Sequence, residues 1–384
     1  MLNFTYHNPV RIVFGRQSIA RLTELVPEDL RIMLVYGGGS IKHNGVYEQI
    51  KSALSNHDLV EFSGIEPNPL YETCMRGVQL AKTERVGFLL AAGGGSVMDA
   101  TKFIAAAVRY PGDDPWDMVL KKAPVTSALP LGCVVTLPAT GSETNINAVI
   151  SRRSSAQKIP FKSELLFPRF SILDPETTFS LPQRQLANGI VDTFVHVCEQ
   201  YLTYDVKASL QDRQAESILL TLVEEAPKLS GPQDDYDVRA NLMWCATQAL
   251  NHTLACGVPT DWSTHAIGHE LTAFCDIDHA RALAIVMPAL LNHQRHRKTD
   301  KLIKFARRVW NIDNPNGDRA IDEALKCTVR FFRDLGMPTR LRDCRIPATV
   351  IPKVAKRLGQ RTPLAGEHQD LDARKVTAIL EAAM

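Results

Sequence analysis

The hydrophobic rhythm of the chain changes once, near residue 180, and that change restricts it to a fold in two parts. Up to about Glu176, short apolar runs alternate with helical stretches. RIVFG (11–15), RIMLVYG (31–37), LVEFSG (59–64), VGFLLAAG (86–93), LGCVVTLP (131–138) and FSILDP (170–175) read as strands. Several are apolar on both faces, as strands buried in a parallel sheet are. Helical segments such as YETCMRGVQLAKTE lie between them. Strand–helix alternation predicts an α/β sheet with helices on both sides. After Leu181 the strand pattern ends. Helical patterns cover 183–203, 207–227, 236–255, 261–274, 280–295, 299–310, 318–335 and 372–383, punctuated by KLSGPQDD and NIDNPNGD. The expectation is an α/β domain over residues 1–180 and an all-α domain over 181–384. At 384 residues, 45% of them hydrophobic, the chain can fill both cores.

Charge and composition exclude several classes. Formal net charge is +2, and acids and bases are interspersed. No basic block or aromatic-interleaved stripe suggests a nucleic-acid partner. The mildly basic stretch from Lys353 to Arg361 reads as the solvated face of a helix. The N-terminus lacks a charged-then-apolar signal pattern, and the apolar runs are too short or too interrupted to span a membrane. Eight cysteines occur without any C-x-x-C, several in apolar surroundings, as at Cys133, Cys198 and Cys245. They read as reduced thiols of a cytoplasmic protein.

Two of the strand-like runs end in the same tetrapeptide. LVYGGGS ends at Ser40, and LLAAGGGSVMDATK carries Gly93, Gly94, Gly95, Ser96 and Asp99. Strand, glycines, helix start is a geometry that holds phosphate: the backbone can approach closely, and free N–H groups face the anion at the positive end of the helix. Neither loop matches G-x-G-x-x-G. A third junction, TLPATGSE, brings Thr136, Thr140, Ser142 and Glu143 to the end of another strand. It suits phosphate or ribose, or simply a helix capped by Ser142.

The helical half holds a second constellation. Asp192 and His196 read D-x-x-x-H in LANGIVDTFVHVCEQY, and His265 and His279 follow in DWSTHAIGHELTAF and CDIDHARALAIVMP. Residues four apart share one face of a helix, so Asp192 and His196 can converge on one ion, although such a pair also serves as a core hydrogen bond. One carboxylate and three imidazoles suit Fe(II) or Zn(II) and leave a position open for substrate. HAIGH is not H-E-x-x-H: Ala266 stands where a zinc protease needs its glutamate.

Together and in this order, GGGSVMDATK, LPATGSE, LDPETTFSLPQRQLANGIVDTFVH and HAIGHELTAFCDIDH resemble the iron-containing, or group III, alcohol dehydrogenases. The likeness is greatest to the butanol-dehydrogenase-like branch, which contains broad-range NADPH-dependent aldehyde reductases. The resemblance implies a dehydroquinate-synthase-like fold, with Asp192, His196, His265 and His279 as ligands of one divalent metal. It implies His269 near the nicotinamide. It implies Gly94, Gly95, Ser96 and Asp99 at the pyrophosphate and its ribose, and Asn68, Lys158, Thr136, Thr140, Ser142 and Asn145 as further cofactor contacts. It also implies a homodimer. Asn145 and His279-Ala280 depart from many members and fit the aldehyde-reductase branch.

Cofactor choice follows from charge. NAD-preferring members commonly carry Asp at the position of Gly39, where a carboxylate would repel a 2′-phosphate. Here Gly38, Gly39 and Ser40, with Lys42 nearby, present N–H groups, a hydroxyl and a cation, which predicts NADP(H). The expected activity is reversible hydride transfer between NADP(H) and an aldehyde or primary alcohol. The alternatives are an NAD-dependent polyol dehydrogenase or a carbocycle-forming synthase of the same fold, and a non-catalytic nucleotide or metal sensor.

Overall fold

Six strands form one parallel sheet: β1 (Arg11–Phe14), β2 (Ile32–Tyr36), β3 (Leu59–Phe62), β4 (Phe88–Gly94), β5 (Leu131–Leu137) and, last in sequence, β8 (Phe170–Leu173). The computed structural model describes residues 1–232 and 234–384. The spatial order is β1-β8-β5-β4-β2-β3, every pair parallel. All six apolar runs of the first half thus become strands of this sheet. Alternation along β2 sends Met33 and Val35 to one face and Ile32, Leu34 and Tyr36 to the other, and both faces are buried.

Helices α1 (Leu22–Leu25), α2 (Val46–Ala53), α3 (Tyr71–Thr83), α4 (Gly95–Val108) and α5 (Trp116–Leu120) connect the strands. Val46 and Ile50 of α2 pack on one face of the sheet, and Cys74 and Val78 of α3 with Phe103 and Ile104 of α4 pack on the other. The chain leaves β2 for β3 on one side and then returns to place β4 on the other side of β2. The loops after β2 and β4 therefore part at a topological switch point, where α/β sheets bind their ligands.

One element of this half had no sequence signal. Asn147–Arg152 (β6) and Gln157–Lys162 (β7) form an antiparallel hairpin. The TLPATGSE junction does not lead into a helix capped by Ser142: Ser142–Thr144 is a single 3-10 turn, and the chain then runs into β6. The sheet, its helices and the hairpin lie in one compact unit, His7–Pro182 with Gly231–Thr247.

The second unit comprises Met1–Tyr6, Gln183–Ser230 and Gln248–Met384. Its helices are α6 (Gln183–Tyr201), α7 (Ser209–Glu225), α9 (Ser263–Cys275), α10 (His279–His293), α11 (Thr299–Val309), α12 (Gly317–Asp334), α13 (Ile351–Gly359) and α14 (Ala373–Ala382). The intervening α8 (Tyr236–Ala249) falls mostly in the first unit. From Leu186 to Tyr201 every residue of α6 is buried, as in a helix surrounded by others. Phe194 fixes its orientation, packing on Phe305, Phe331 and Phe332 with ring centroids 5.5–6.3 Å away. Asp192 is roughly 200° around the helix from Phe194 and so points to the opposite side. Among the described residues no helix is long and apolar enough to cross a membrane.

Candidate functional site

Three parallel neighbours, β5, β4 and β2, end at the same edge of the sheet and carry the three polar loops. At β4 the strand passes into α4 with no intervening loop: Gly94 is its last residue and Gly95 the first of the helix. The turn is too crowded for side chains. A Cβ on Gly95 would lie 2.5 Å from Thr140 Cγ2 and 2.6 Å from Thr140 Oγ1. The helix start is thus left as bare backbone N–H groups, the arrangement that accepts phosphate.

Ser96, Asn68 and Lys158 come together although they belong to different elements. Ser96 Oγ accepts the backbone N–H of Asn68 at 3.2 Å, and Lys158 Nζ donates to Asn68 Oδ1 at 2.7 Å. Lys158 reaches this point from β7, so the hairpin supplies a residue to the glycine-rich loops.

Asp99, Ser142 and Asn145 form a network of their own. Asp99 accepts from Ser142 Oγ at 2.7 Å and from the backbone N–H of Val149 at 2.8 Å. At its centre lies Lys102, which the sequence reading did not single out. Its buried ammonium donates to Ser142 Oγ, Asn145 O and Asn147 O, each at 2.8 Å, and to Asn145 Oδ1 at 3.2 Å. Burial pushes Lys102 down to about 8, against the pull of Asp99. The network clamps the third loop against α4 and draws the following residues into β6. Thr140 Oγ1 accepts the backbone N–H of Ser142 at 3.2 Å, and Thr136 is buried near the end of β5.

After β2, Gly38 and Gly39 are open: among the described residues, chain neighbours aside, no atom lies within 4 Å of a Cβ built on either, and Gly39 has φ +100°. Ser40 begins the short turn that follows. Lys42 is exposed, as a surface lysine is, but it has partners. Its Nζ lies 3.3 Å from Glu61 Oε2 and 4.7 Å from the Tyr47 ring centroid. Glu61 also accepts from the hydroxyls of Tyr36 and Tyr47. Burial would raise Glu61, but these donors outweigh it and hold its carboxyl below the usual range.

In the helical unit, Asp192, His265 and His279 converge, and His196 lies beside them. Asp192 Oδ1 lies 3.7 Å from His265 Nε2, 3.7 Å from His279 Nε2 and 3.8 Å from His196 Nδ1. The ligand atoms of Asp192, His265 and His279 all fall within 4.8 Å of one another. His196 stacks on His265 with centroids 4.5 Å apart. These separations are too long for hydrogen bonds. Two ligand atoms about 2.1 Å from one tetrahedral ion stand about 3.4 Å apart, so the spacing matches ligands around a cation. The buried atoms His196 Nδ1 and His265 Nε2 have no hydrogen-bond partner among the described residues, a cost that a cation between them would remove. The donor set and the orphaned nitrogens fit a divalent metal.

The electrostatics of the two stacked rings differ. Burial, opposed by Asp192, lowers His196 to about 4 and keeps it neutral. Burial would also lower His265, but the carboxylates of Glu199 and Asp192 outweigh it and push His265 up to about 9. Glu199 accepts from His265 Nδ1 and was not marked in the sequence. It follows Asp192 and His196 on the same face of α6, which is the signal that could have revealed it.

His269 is buried one turn along α9 from His265, its ring centroid 5.0 Å from that of His279. Trp262 lies edge-on to His196 and His265. Phe274 is covered by the Arg357 guanidinium at 4.1 Å, and Ile146 belongs to the other unit. The basic stretch 353–361 is not wholly solvated: Arg357 and Arg361 donate to the buried carboxylate of Glu270 at 3.0 and 2.7 Å.

The chain matches two family descriptions in tandem: iron-containing alcohol dehydrogenase over residues 9–175, and the C-terminal part of the Fe-containing alcohol dehydrogenase family over 186–384. It is 51% identical to the NADPH-dependent aldehyde reductase YqhD of Escherichia coli K12, covering 100% of both chains. It is 41% identical to NADP-dependent alcohol dehydrogenase 3 of Entamoeba histolytica, covering 99% of this chain and 98% of that one. The crystal structure of E. coli YqhD superposes with a TM-score of 0.98 over 100% of this chain and 99% of that one, at 50% identity. An NADH-dependent butanol dehydrogenase A from Thermotoga maritima does so with a TM-score of 0.95 at 36% identity, over 100% and 99%. The chain belongs to the iron-containing alcohol dehydrogenase family.

Proposed function

We propose that this protein is a metal-dependent oxidoreductase that transfers hydride reversibly between NADP(H) and an aldehyde or primary alcohol, with broad-range aldehyde reduction as its main work. The observation that carries the reading is the approach of three imidazole nitrogens to within 3.8 Å of Asp192 Oδ1. Full-length identity of 51% to an NADPH-dependent aldehyde reductase supports the substrate class and the cofactor.

Asp192, His196, His265 and His279 would hold one Fe(II) or Zn(II), which when bound supplies a Lewis-acid charge toward a carbonyl oxygen, while the dinucleotide supplies the hydride. The chain's own part is positioning, exclusion of water and proton supply. Asp192, His196 and His265 are each less than a tenth exposed, so charge at this point acts with little screening. His269, beside His279, is assigned the proton that an alkoxide product needs, since an imidazole exchanges protons near neutral pH. The start of α4 at Gly94, Gly95 and Ser96 takes the diphosphate on backbone N–H groups. Lys158 and Asn68 hold the adjoining part of the dinucleotide, and the Asp99–Ser142–Asn145 network with Thr136 and Thr140 shapes the loop against which it lies. Gly38, Gly39 and Ser40 leave open, uncharged space for a 2′-phosphate, which supports NADP(H) over NAD(H).

The reading includes a cytoplasmic homodimer. Eight cysteines without a disulfide support a reducing compartment. The position of β1 at the sheet edge, with Phe14 exposed, supports an assembly surface. The test is NADPH consumption with butyraldehyde, with and without added Fe(II) or Zn(II), repeated with NADH. Metal-dependent turnover with the higher kcat/KM for NADPH is expected. A higher kcat/KM with NADH would contradict the cofactor assignment, and turnover unaffected by removing metal would contradict the mechanism.

A further inference from the structure

Glu199 stands behind the ligand set rather than in it. It lies three residues beyond His196 on α6 and is 5% exposed. Its two carboxylate oxygens are divided between two tasks. Oε1 accepts the backbone N–H groups of Thr264 at 2.5 Å and His265 at 3.3 Å, in the first turn of α9. Oε2 accepts from Nδ1 of His265, 66 residues away in sequence. A carboxylate facing two backbone donors only accepts, so His265 Nδ1 must carry the proton.

An imidazole that binds a metal is neutral, with one N–H and one lone pair. With the proton committed to Glu199, the lone pair of His265 lies on Nε2. That is the nitrogen 3.7 Å from Asp192 Oδ1, and it is buried without a hydrogen-bond partner among the described residues. We propose that Glu199 is a positioning residue for the metal: it fixes the ring orientation and the Nδ1–H tautomer of His265, so that Nε2 is presented as a ligand. The inference rests on the metal reading above.

The competing account is that Glu199 only caps α9. Glu199→Gln separates the two. The glutamine oxygen can still accept from Thr264 and His265, which keeps the cap. Its NH2 then meets His265 Nδ1 as a donor, which drives the ring proton to Nε2 and removes the ligand lone pair. Loss of such a partner behind a metal-binding histidine typically weakens metal affinity about 10–100-fold.

The experiment measures Zn(II) affinity by competition with a chromogenic chelator, for wild type and Glu199→Gln, alongside denaturant unfolding of both metal-free proteins. In parallel, Zn(II)-loaded protein labelled with 15N-histidine is observed by NMR, with His265 assigned from its missing signals in His265→Ala. The expected result is a 10–100-fold weaker affinity in Glu199→Gln at a nearly unchanged unfolding midpoint, and a slowly exchanging Nδ1–H proton on His265 of the wild type. Wild-type affinity in Glu199→Gln would overturn the proposal while leaving the metal reading intact. So would a wild-type His265 without a proton on Nδ1, an outcome that decides the matter even if the variant fails to fold. A wild type that does not bind Zn(II) or Fe(II) overturns the metal reading itself, and the proposal with it.

Discussion

Asp192 Oδ1 lies 3.7 Å from His279 Nε2, although one residue sits in the middle of α6 and the other opens α10. A buried carboxylate among imidazoles is stable there only if something positive completes the set. Asp192→Asn should therefore cost metal binding and not folding. Structural four-ligand zinc sites are worth about 10–16 kcal/mol, or roughly 3 kcal/mol per ligand, so affinity should fall by about two orders of magnitude. The metal-free variant should unfold at the same denaturant concentration as metal-free wild type, or a higher one. Titration with Zn(II) and unfolding in urea check the two halves separately.

Gly95→Ala should damage dinucleotide binding and leave the metal alone. The added Cβ would meet Thr140 at 2.5 Å, and the neighbouring turn has to shift. Overpacking of this kind costs about 1–3 kcal/mol. Steady-state kinetics should show KM for NADPH raised roughly tenfold, while metal content stays at the wild-type level.

Gly39→Asp should lower kcat/KM for NADPH more than for NADH. There is room for the side chain, but φ is +100°, so any L-residue is strained at this position. Gly39→Ala carries the same strain without charge and serves as the control. Electrostatic repulsion of the 2′-phosphate is the part by which the Asp variant exceeds the Ala variant in its NADPH-to-NADH ratio. Equal ratios in the two variants would remove Gly39 from the account of cofactor choice.

Lys298→Met should destabilise the helical unit strongly. The buried ammonium donates to Asp261 at 2.7 Å, to Glu367 at 2.6 Å and to the carbonyl of Leu202 at 2.6 Å. Removing it strands two buried carboxylates, and breaking a buried pair in this way costs about 3–5 kcal/mol. Urea unfolding of the metal-free protein measures it. A change within about 0.5 kcal/mol, the range of an ordinary surface substitution, would mean that the network is not holding the loop of Glu367.

The sheet was legible because its strands are buried on both faces and so appear as continuous apolar runs, as IMLVY in β2 does. The hairpin was not. NAVISR and QKIPFK have no such run, Pro160 sits inside β7, and the turn between them, Arg153-Ser154-Ser155-Ala156, holds no Gly, Asn or Asp to mark it. What holds β6 in place is the Lys102 ammonium beneath Asn145 O and Asn147 O, a tertiary contact with no local trace. The metal-type residues could be picked out by chemistry, because a carboxylate and three histidines have few reasons to converge. Lys102 and Lys298 could not, since a lysine within a helix or just before one ordinarily faces water, and Glu199 offered only its place on the face of Asp192 and His196. Their importance comes from what the fold places opposite them. Lys42 shows another limit: the sequence offered it to a phosphate, and the structure gives its exposed ammonium Glu61 as a partner.

The central claim is that Asp192, His196, His265 and His279 hold one metal ion. Anomalous diffraction from crystals of the zinc-loaded protein, collected on both sides of the zinc absorption edge, tests it directly. A single strong peak is expected within about 2.0–2.2 Å of one Asp192 oxygen and of a nitrogen from each of the three histidines. A peak bound elsewhere, or zinc-loaded crystals with no peak among these four side chains, would contradict it.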